Sequence, residues 1–309
     1  MKILLLNPNY IKRHNWGHQL FKNEIGRHHE VTYYGSGYEG FNSKLTVPQI
    51  LKHLKTSFDI ILTYESKYSK NFKELGDINH IPKVLIQIDY AIGIPDYKGF
   101  ADTKNINGLI EYNKPDLIFF TSMSNIKAAK NNLDVDKIFF LPFSVDTNIY
   151  KNKMENRTID VMATYTTNNK VYLLRGKIQK TLNAMKIKTF TRRAIHRQYI
   201  NHINKSKIFV ISNNINRRLS MKYTEAMACG AMVLADEPED LTRQGFKRNH
   251  HLVLYNGIDD LKNKIQYYLK HDEERKEIAT NGMNFVKKNH SCSSRVKQFT
   301  KMVKRELGI

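Results

Sequence analysis

Residues 221–236 read MKYTEAMACGAMVLAD. Ser220 stands just ahead, with a side chain suited to cap a helix beginning at Met221. Ala226, Ala228 and Gly230 leave little side chain on the following turns, so such a helix can seat closely on a sheet. Gly230 fits the left-handed residue that closes many helices, and 232–235 is a short apolar run suited to a buried strand. The stretch therefore predicts a loop, a short helix, a tight turn and a strand, the repeating unit of an α/β protein.

One carboxylate, Glu225, sits about a turn inside this helix, while the approach at 212–220, SNNINRRLS, is polar and basic. The first backbone N–H groups of a helix carry partial positive charge and attract anions. Arg217, Arg218 and Lys222 surround that end, with Ser220 and Thr224 in the same turns. Such donors suit a diphosphate, and a carboxylate one turn away suits the vicinal hydroxyls of a ribose. The plainer alternative is that Glu225 only offsets the helix dipole, worth about 0.3–1 kcal/mol. The residues alone leave both open.

Working outward, apolar strands alternate with amphipathic helical segments along the whole chain, the pattern of mostly parallel sheets. Strands are expected over 2–6, 30–34, 59–63, 83–88, 117–121 and 138–141, with helices over 18–25, 48–56 and 124–131. In the second half, strands are expected over 159–163, 209–212, 232–235 and 252–255, and a helix over 173–185. Three helices should close the chain, the first capped by Asp259 or Asp260, the second by Asp272, the third opened by Ser291 or Ser293. The last should carry Val296, Phe299 and Val303 on one side. A Pro, a turn and polar residues in LPFSVDTNIYKNK (141–153) mark a boundary, giving domains 1–145 and 146–309. Two Rossmann-like halves binding in the cleft between them are the expected architecture.

The 309 residues include 50 Lys and Arg against 29 Asp and Glu, a formal net charge of +21, with a pI near 9.7. Such an excess points to a polyanionic partner. It is concentrated: no carboxylate falls between Asp160 and Glu225, where 14 Lys and Arg do. Cys229 and Cys292 match no metal or disulfide spacing. With no run near the ~20 apolar residues of a membrane span, a cytoplasmic protein is expected.

YTEAMACGAMVLAD resembles the signature helix and strand of the group-1 glycosyltransferases of the GT-B fold. DDLKNKIQYYLKHDEERKEIATNGMNFVKKNHS (259–291) is similar to the closing region of that group, and LPFSVDTNIY to its interdomain segment. The likeness covers roughly 142–304 and is nearest to the CgeB-like, spore-maturation branch; earlier, only the strand rhythm and IDY at 88–90 echo it. The resemblance implies a GT-B-like α/β fold, with the second domain binding a nucleotide-diphosphate sugar, a UDP-sugar first, and no metal or other cofactor. It implies that Glu225 holds the ribose and that Lys170 or Arg175 meets the pyrophosphate. Many members carry a Glu eight residues before the ribose carboxylate; this chain has Arg217 there.

Sugar transfer requires stabilisation of the departing diphosphate, which fixed cations and N–H groups supply. An inverting route also needs a base for the acceptor hydroxyl. Asp89, at a strand end, and His18, in the loop after the first strand, are the candidates; capping a turn and starting a helix are their structural alternatives. Asp134-Val135-Asp136 imitates a metal motif but lies between a helix and a strand, where turn duty is expected. The pairs His28-His29 and His250-His251 lack further ligands, so no zinc is assigned.

Arg192, Arg193, Arg197, Lys205 and Lys207, interleaved with His196, Tyr199 and His202, exceed what one diphosphate requires. They point to a DNA acceptor, such as a hydroxymethylated base, with salt-dependent binding. The alternatives are transfer to an envelope, spore or lipid-linked glycan, and a non-catalytic nucleic-acid-binding protein on a GT-B scaffold.

Overall fold

A computed structural model of the chain describes residues 1–9, 16–88, 90, 103–164, 172–213 and 217–309, with 103–105 as backbone. The chain divides into two compact units, Met1–Pro142 with Arg295–Ile309, and Phe143–Ser294.

The first unit runs β1 (Lys2–Leu6), α1 (Trp16–His28), β2 (Glu30–Tyr34), α2 (Val47–Leu54), β3 (Ile60–Tyr64), α3 (Ser66–Ser69), β4 (Lys83–Gln87), α4 (Thr103–Asn113), β5 (Leu117–Phe120), α5 (Met123–Asn132) and β6 (Ile138–Phe140). Its six strands pair in the order β2-β1-β3-β4-β5-β6, all in parallel. Strands β3, β4 and β5 are buried along their whole length. Helices cover both faces of such a sheet, so the central strands read as unbroken apolar runs rather than alternating ones.

The second unit runs β7 (Ile159–Met162), α6 (Arg175–Ala184), β8 (Thr189–Phe190), α7 (His196–Asn204), β9 (Ser206–Ile211), α8 (Met221–Ala228), β10 (Met232–Ala235), β11 (Val253–Leu254), α9 (Gly257–Lys270) and α10 (Asp272–Asn289), followed by α11 (Cys292–Leu307). The parallel strands lie in the order β11-β10-β9-β7-β8. Val161, Ile208, Val210, Met232 and Leu234 form the sheet's share of a core that Ile178, Leu182, Leu261 and Ile265 close from the helices.

The closing residues of α11 lie with the first unit, although the sequence pattern groups them with the second half. Val296, Phe299 and Val303 are fully buried. Phe299 packs on Phe119 of β5 at 5.3 Å between ring centroids, and Thr300 bonds His29 at 2.7 Å. Hydrophobic burial therefore draws the end of the helix to the first unit.

Helix starts differ in detail from expectation. Asn256 holds the N-cap position of α9, while the Asp260 carboxylate accepts its N–H from inside the helix at 2.8 Å. His271, not Asp272, holds that position in α10. The Ser291 hydroxyl accepts the Ser294 N–H at 3.2 Å and caps α11. β9 begins at Ser206, three residues before the expected start, and β8, α3, α4 and α7 had no counterpart in the expected elements.

Candidate functional site

Helix α8 has the anticipated form. Ser220 occupies its N-cap position in an extended conformation, but its hydroxyl makes no capping bond; the Ser220 carbonyl instead accepts the Tyr223 N–H at 3.2 Å. At the other end Gly230 is left-handed, with φ 74°. Its N–H reaches the Met227 carbonyl at 2.8 Å, and the Ala231 N–H reaches Ala226 at 3.1 Å. This is a Schellman closure, which satisfies the helix's last carbonyls. Tyr223 joins the helix to the sheet by donating to Asn213 Oδ1 at 3.0 Å and the Asp236 carbonyl at 3.1 Å.

Glu225 is buried. Its Oε2 accepts the Tyr199 hydroxyl at 3.0 Å, and the Tyr150 hydroxyl bonds the same carboxylate. Burial pushes its pKa above the ordinary carboxylate value; Lys222 and the two tyrosines pull it back. Lys222 stands one turn earlier, half-buried, with Nζ 5.4 Å from the Tyr199 ring centroid. Burial lowers the pKa of Lys222, Glu225 raises it, and the charges of Arg175 and Arg193 lower it again. Lys222 thus meets the Glu225 carboxylate on its own helix and the charges of Arg175 and Arg193 from other elements.

Arg175, the first residue of α6, is buried. Its Nε and Nη2 donate to the Ser212 carbonyl at 3.1 and 3.0 Å, and its guanidinium lies 3.3 Å from the Tyr172 ring centroid. Arg217 is exposed and left-handed, with φ 48°. It donates to the Glu237 carbonyl at 3.1 and 3.0 Å, beyond β10. Arg218 lies 5.5 Å from the Phe143 ring centroid. Thr224 is fully buried and donates its hydroxyl to the Met221 carbonyl at 3.0 Å, a bond internal to the helix. Lys170 and Asp89 lie outside the described residues. His18, in α1 of the first unit, is buried, with Nδ1 3.4 Å from the Tyr64 hydroxyl.

As partners of Glu225, Tyr150 and Tyr199 were not read from the sequence, where Tyr199 figured only in the basic segment. Tyr150 closes LPFSVDTNIY, where buried Asp146 shapes the turn: its Oδ1 accepts the Asn148 N–H at 2.9 Å and its carbonyl the Tyr150 N–H at 2.8 Å. Tyr199 lies with Ile200 and Ile203 on the inner face of α7. A buried phenol hydroxyl seeks a partner, so a tyrosine on an apolar face was the readable signal.

The basic segment also divides. Lys207 pairs with Asp160 at 2.7 Å, and the His202 ring stacks on Phe190 at 3.8 Å between centroids. Arg192, Arg193, Arg197 and Lys205 are exposed.

A cavity of about 770 Å³ opens at the carboxyl ends of β9, β10 and β11, lined by Ser212, Asn213, Arg217, Asp236, Tyr255 and Asn256 among others. Carboxyl ends of parallel strands are where open sheets of this kind bind ligands. Among the described residues no group of three or more His, Cys, Asp and Glu is placed to hold a metal ion, and no helix is long and apolar enough to cross a membrane.

The mixed α/β architecture of parallel sheets is GT-B-like. The sucrose-phosphate synthase of Thermosynechococcus elongatus is similar over 100% of this chain and 99% of its own, with a TM-score of 0.71 and 10% identity. HepE of Anabaena, solved with UDP and glucose, is similar over 99% and 100%, with a TM-score of 0.63 and 15% identity. An alpha-glucosyltransferase solved with UDP-glucose and DNA containing an abasic site is similar over 98% and 99%, with a TM-score of 0.63 and 14% identity. Residues 179–301 match the model of a family described as glycosyl transferase-like. No curated protein sequence matches the chain.

Proposed function

We propose that the chain is a glycosyltransferase that takes the sugar of a nucleotide-diphosphate sugar, a UDP-sugar first, and passes it to a hydroxyl on a polyanionic acceptor. The observation that carries this reading is Lys222 one turn from the buried carboxylate of Glu225 at the head of α8, with the charges of Arg175 and Arg193 acting on that lysine. Cations brought together in one site repel one another unless an anion joins them, and a diphosphate supplies that anion. Glu225 then accepts hydrogen bonds from the ribose hydroxyls. The family match over 179–301 and the UDP and UDP-glucose complexes of proteins with this fold support it.

In the reaction the acceptor oxygen bonds to the anomeric carbon as the bond from that carbon to the diphosphate oxygen breaks. Lys222, Arg175 and Arg193 stabilise the charge that develops on the departing diphosphate. In an inverting course the acceptor proton passes to a base, for which His18 and Asp89 are the candidates; in a retaining course it passes to the departing diphosphate. The acceptor is DNA in this reading, with exposed Arg192, Arg197 and Lys205 meeting backbone phosphates. One DNA complex among proteins of similar fold supports that choice, and the CgeB-like branch is the proposed kinship.

Ile195, 45% exposed among these arginines, favours a second acceptor reading, a lipid-linked glycan on an anionic membrane surface. Incubation with a panel of nucleotide sugars tests the activity: release of free nucleotide, lost in Glu225→Ala, is expected. Duplex DNA binding without any turnover would instead identify a non-catalytic binder. Retention on anionic vesicles, with no DNA binding at low salt, would favour the membrane acceptor.

A further inference from the structure

We propose that Tyr150 and Tyr199 are positioning residues for Glu225: their two hydroxyls bond its carboxylate and aim it to accept hydrogen bonds from a ribose. The inference rests on the donor reading of the site.

The two phenols reach the carboxylate from different parts of the second unit. Tyr199 comes from α7 and donates to Oε2 at 3.0 Å. Tyr150 comes from the turn that Asp146 builds ahead of β7. Their rings meet edge to face at 6.4 Å between centroids, so each fixes the other's plane. Both side chains are buried.

A carboxylate removed from water tends to take up a proton, and a protonated carboxyl loses part of its capacity to accept from a diol. The groups facing Glu225 decide the balance. Lys222, on the same helix, favours the charged form. So do the two hydroxyls, while burial opposes it. Arg175 and Arg193 act on Lys222 and weaken its ammonium. Burial and the neighbouring Glu225 charge push both tyrosine pKa values well above the ordinary one, with Asp146 adding to the effect at Tyr150. Both therefore remain hydrogen-bond donors throughout the neutral range. Cys229, at the helix end, is pushed up to about 12 by burial and by Glu225, against the pull of Arg157, and stays a neutral thiol. The hydroxyls thus act as fixed dipoles on Glu225.

Tyr199→Phe and Tyr150→Phe keep the rings and remove only the hydroxyls. The first measurement follows the side-chain carboxyl carbon of Glu225 by NMR through a pH titration of the free protein. Each variant should move the midpoint to higher pH, and the double variant further. Unmoved midpoints in both single variants overturn the proposal. The second is calorimetric titration with UDP. Its dissociation constant should rise about tenfold in each variant, as expected for loss of a hydrogen bond to a charged group. The acid limb of binding should also shift to higher pH, which a purely structural loss would not produce. Weakened binding in Glu225→Ala with unchanged binding in both tyrosine variants overturns this inference alone. Unchanged UDP binding in Glu225→Ala overturns the donor reading beneath it.

Discussion

The Arg175 guanidinium donates through Nε and Nη2 to the carbonyl of Ser212, at 3.1 and 3.0 Å. The first residue of α6 is thereby locked to the end of β9, close enough to Lys222 for its charge to lower the lysine's pKa.

Lysine cannot reproduce this two-point contact. Arg175→Lys should therefore lose stability even with the charge retained, by roughly 1–3 kcal/mol, read as a fall in thermal midpoint. UDP affinity should fall as well. An unchanged midpoint with intact UDP binding would show that the contact is incidental.

Glu225→Gln should separate stability from function. Burial raises the Glu225 pKa, so between the ordinary carboxylate value and the raised one the folded state holds more protons than the unfolded state. Stability from this group therefore falls as pH rises through that window. The amide carries no charge to bury. The variant should match or exceed the wild-type thermal midpoint at pH 7, by about 2–4 °C for each kcal/mol gained. It should also lose its UDP-induced shift. A lower midpoint at pH 7 would contradict the assignment of burial as the dominant influence.

Gly230→Ala should destabilise through backbone and space together. The residue has φ 74°, and an added Cβ would stand 2.8 Å from Asn152 Nδ2 and 2.9 Å from Arg157 Nη2. A loss of at least about 1 kcal/mol is expected, measured by denaturant unfolding. Asn152→Ala combined with Gly230→Ala should recover only the part due to crowding.

His251 should make the protein sensitive to acid. Burial, then the charges of His250 and Lys247, lowers its pKa to about 4, and its ring stacks on Phe285 at 4.1 Å between centroids. Between the ordinary value of about 6.5 and about 4 the unfolded state binds the extra proton, so stability declines as pH falls through that range. His251→Phe should flatten the thermal midpoint between pH 6.5 and pH 4 relative to the wild-type slope.

Replacing Arg192, Arg197 and Lys205 by Ala should weaken DNA binding uniformly across sequences. The slope of log affinity against log salt should shrink by about 0.9 for each phosphate that is no longer neutralised. Gel shifts over a salt series measure it. An unchanged slope would remove this face from the acceptor site.

Much of the fold was legible because its strands are short apolar runs between strong turn signals. Lys2–Leu6, Glu30–Tyr34 and Met232–Ala235 appear where the pattern puts them. Gly230 announced its left-handed closure because few other residues adopt that conformation cheaply. Helix α7 was hidden by charge: its polar face reads as a basic segment, and only Tyr199, Ile200 and Ile203 mark the buried side. The end of α11 belongs with the first unit through Phe299 and Phe119, residues distant in sequence that no local pattern connects. The same limit applied at the site. Glu225 stood out as a lone acid, whereas Tyr150 and Tyr199 reach it only through the tertiary fold.

The central claim is that Glu225 grips the pentose of the donor while Lys222 and Arg175 meet its diphosphate. Determination of the structure with UDP bound tests it most directly. The ribose hydroxyls should lie within hydrogen-bonding distance of the Glu225 carboxylate, with the diphosphate against Lys222 and Arg175. A nucleotide seated elsewhere, with no ribose hydroxyl on Glu225 and its bonds to Tyr150 and Tyr199 retained, would contradict the account.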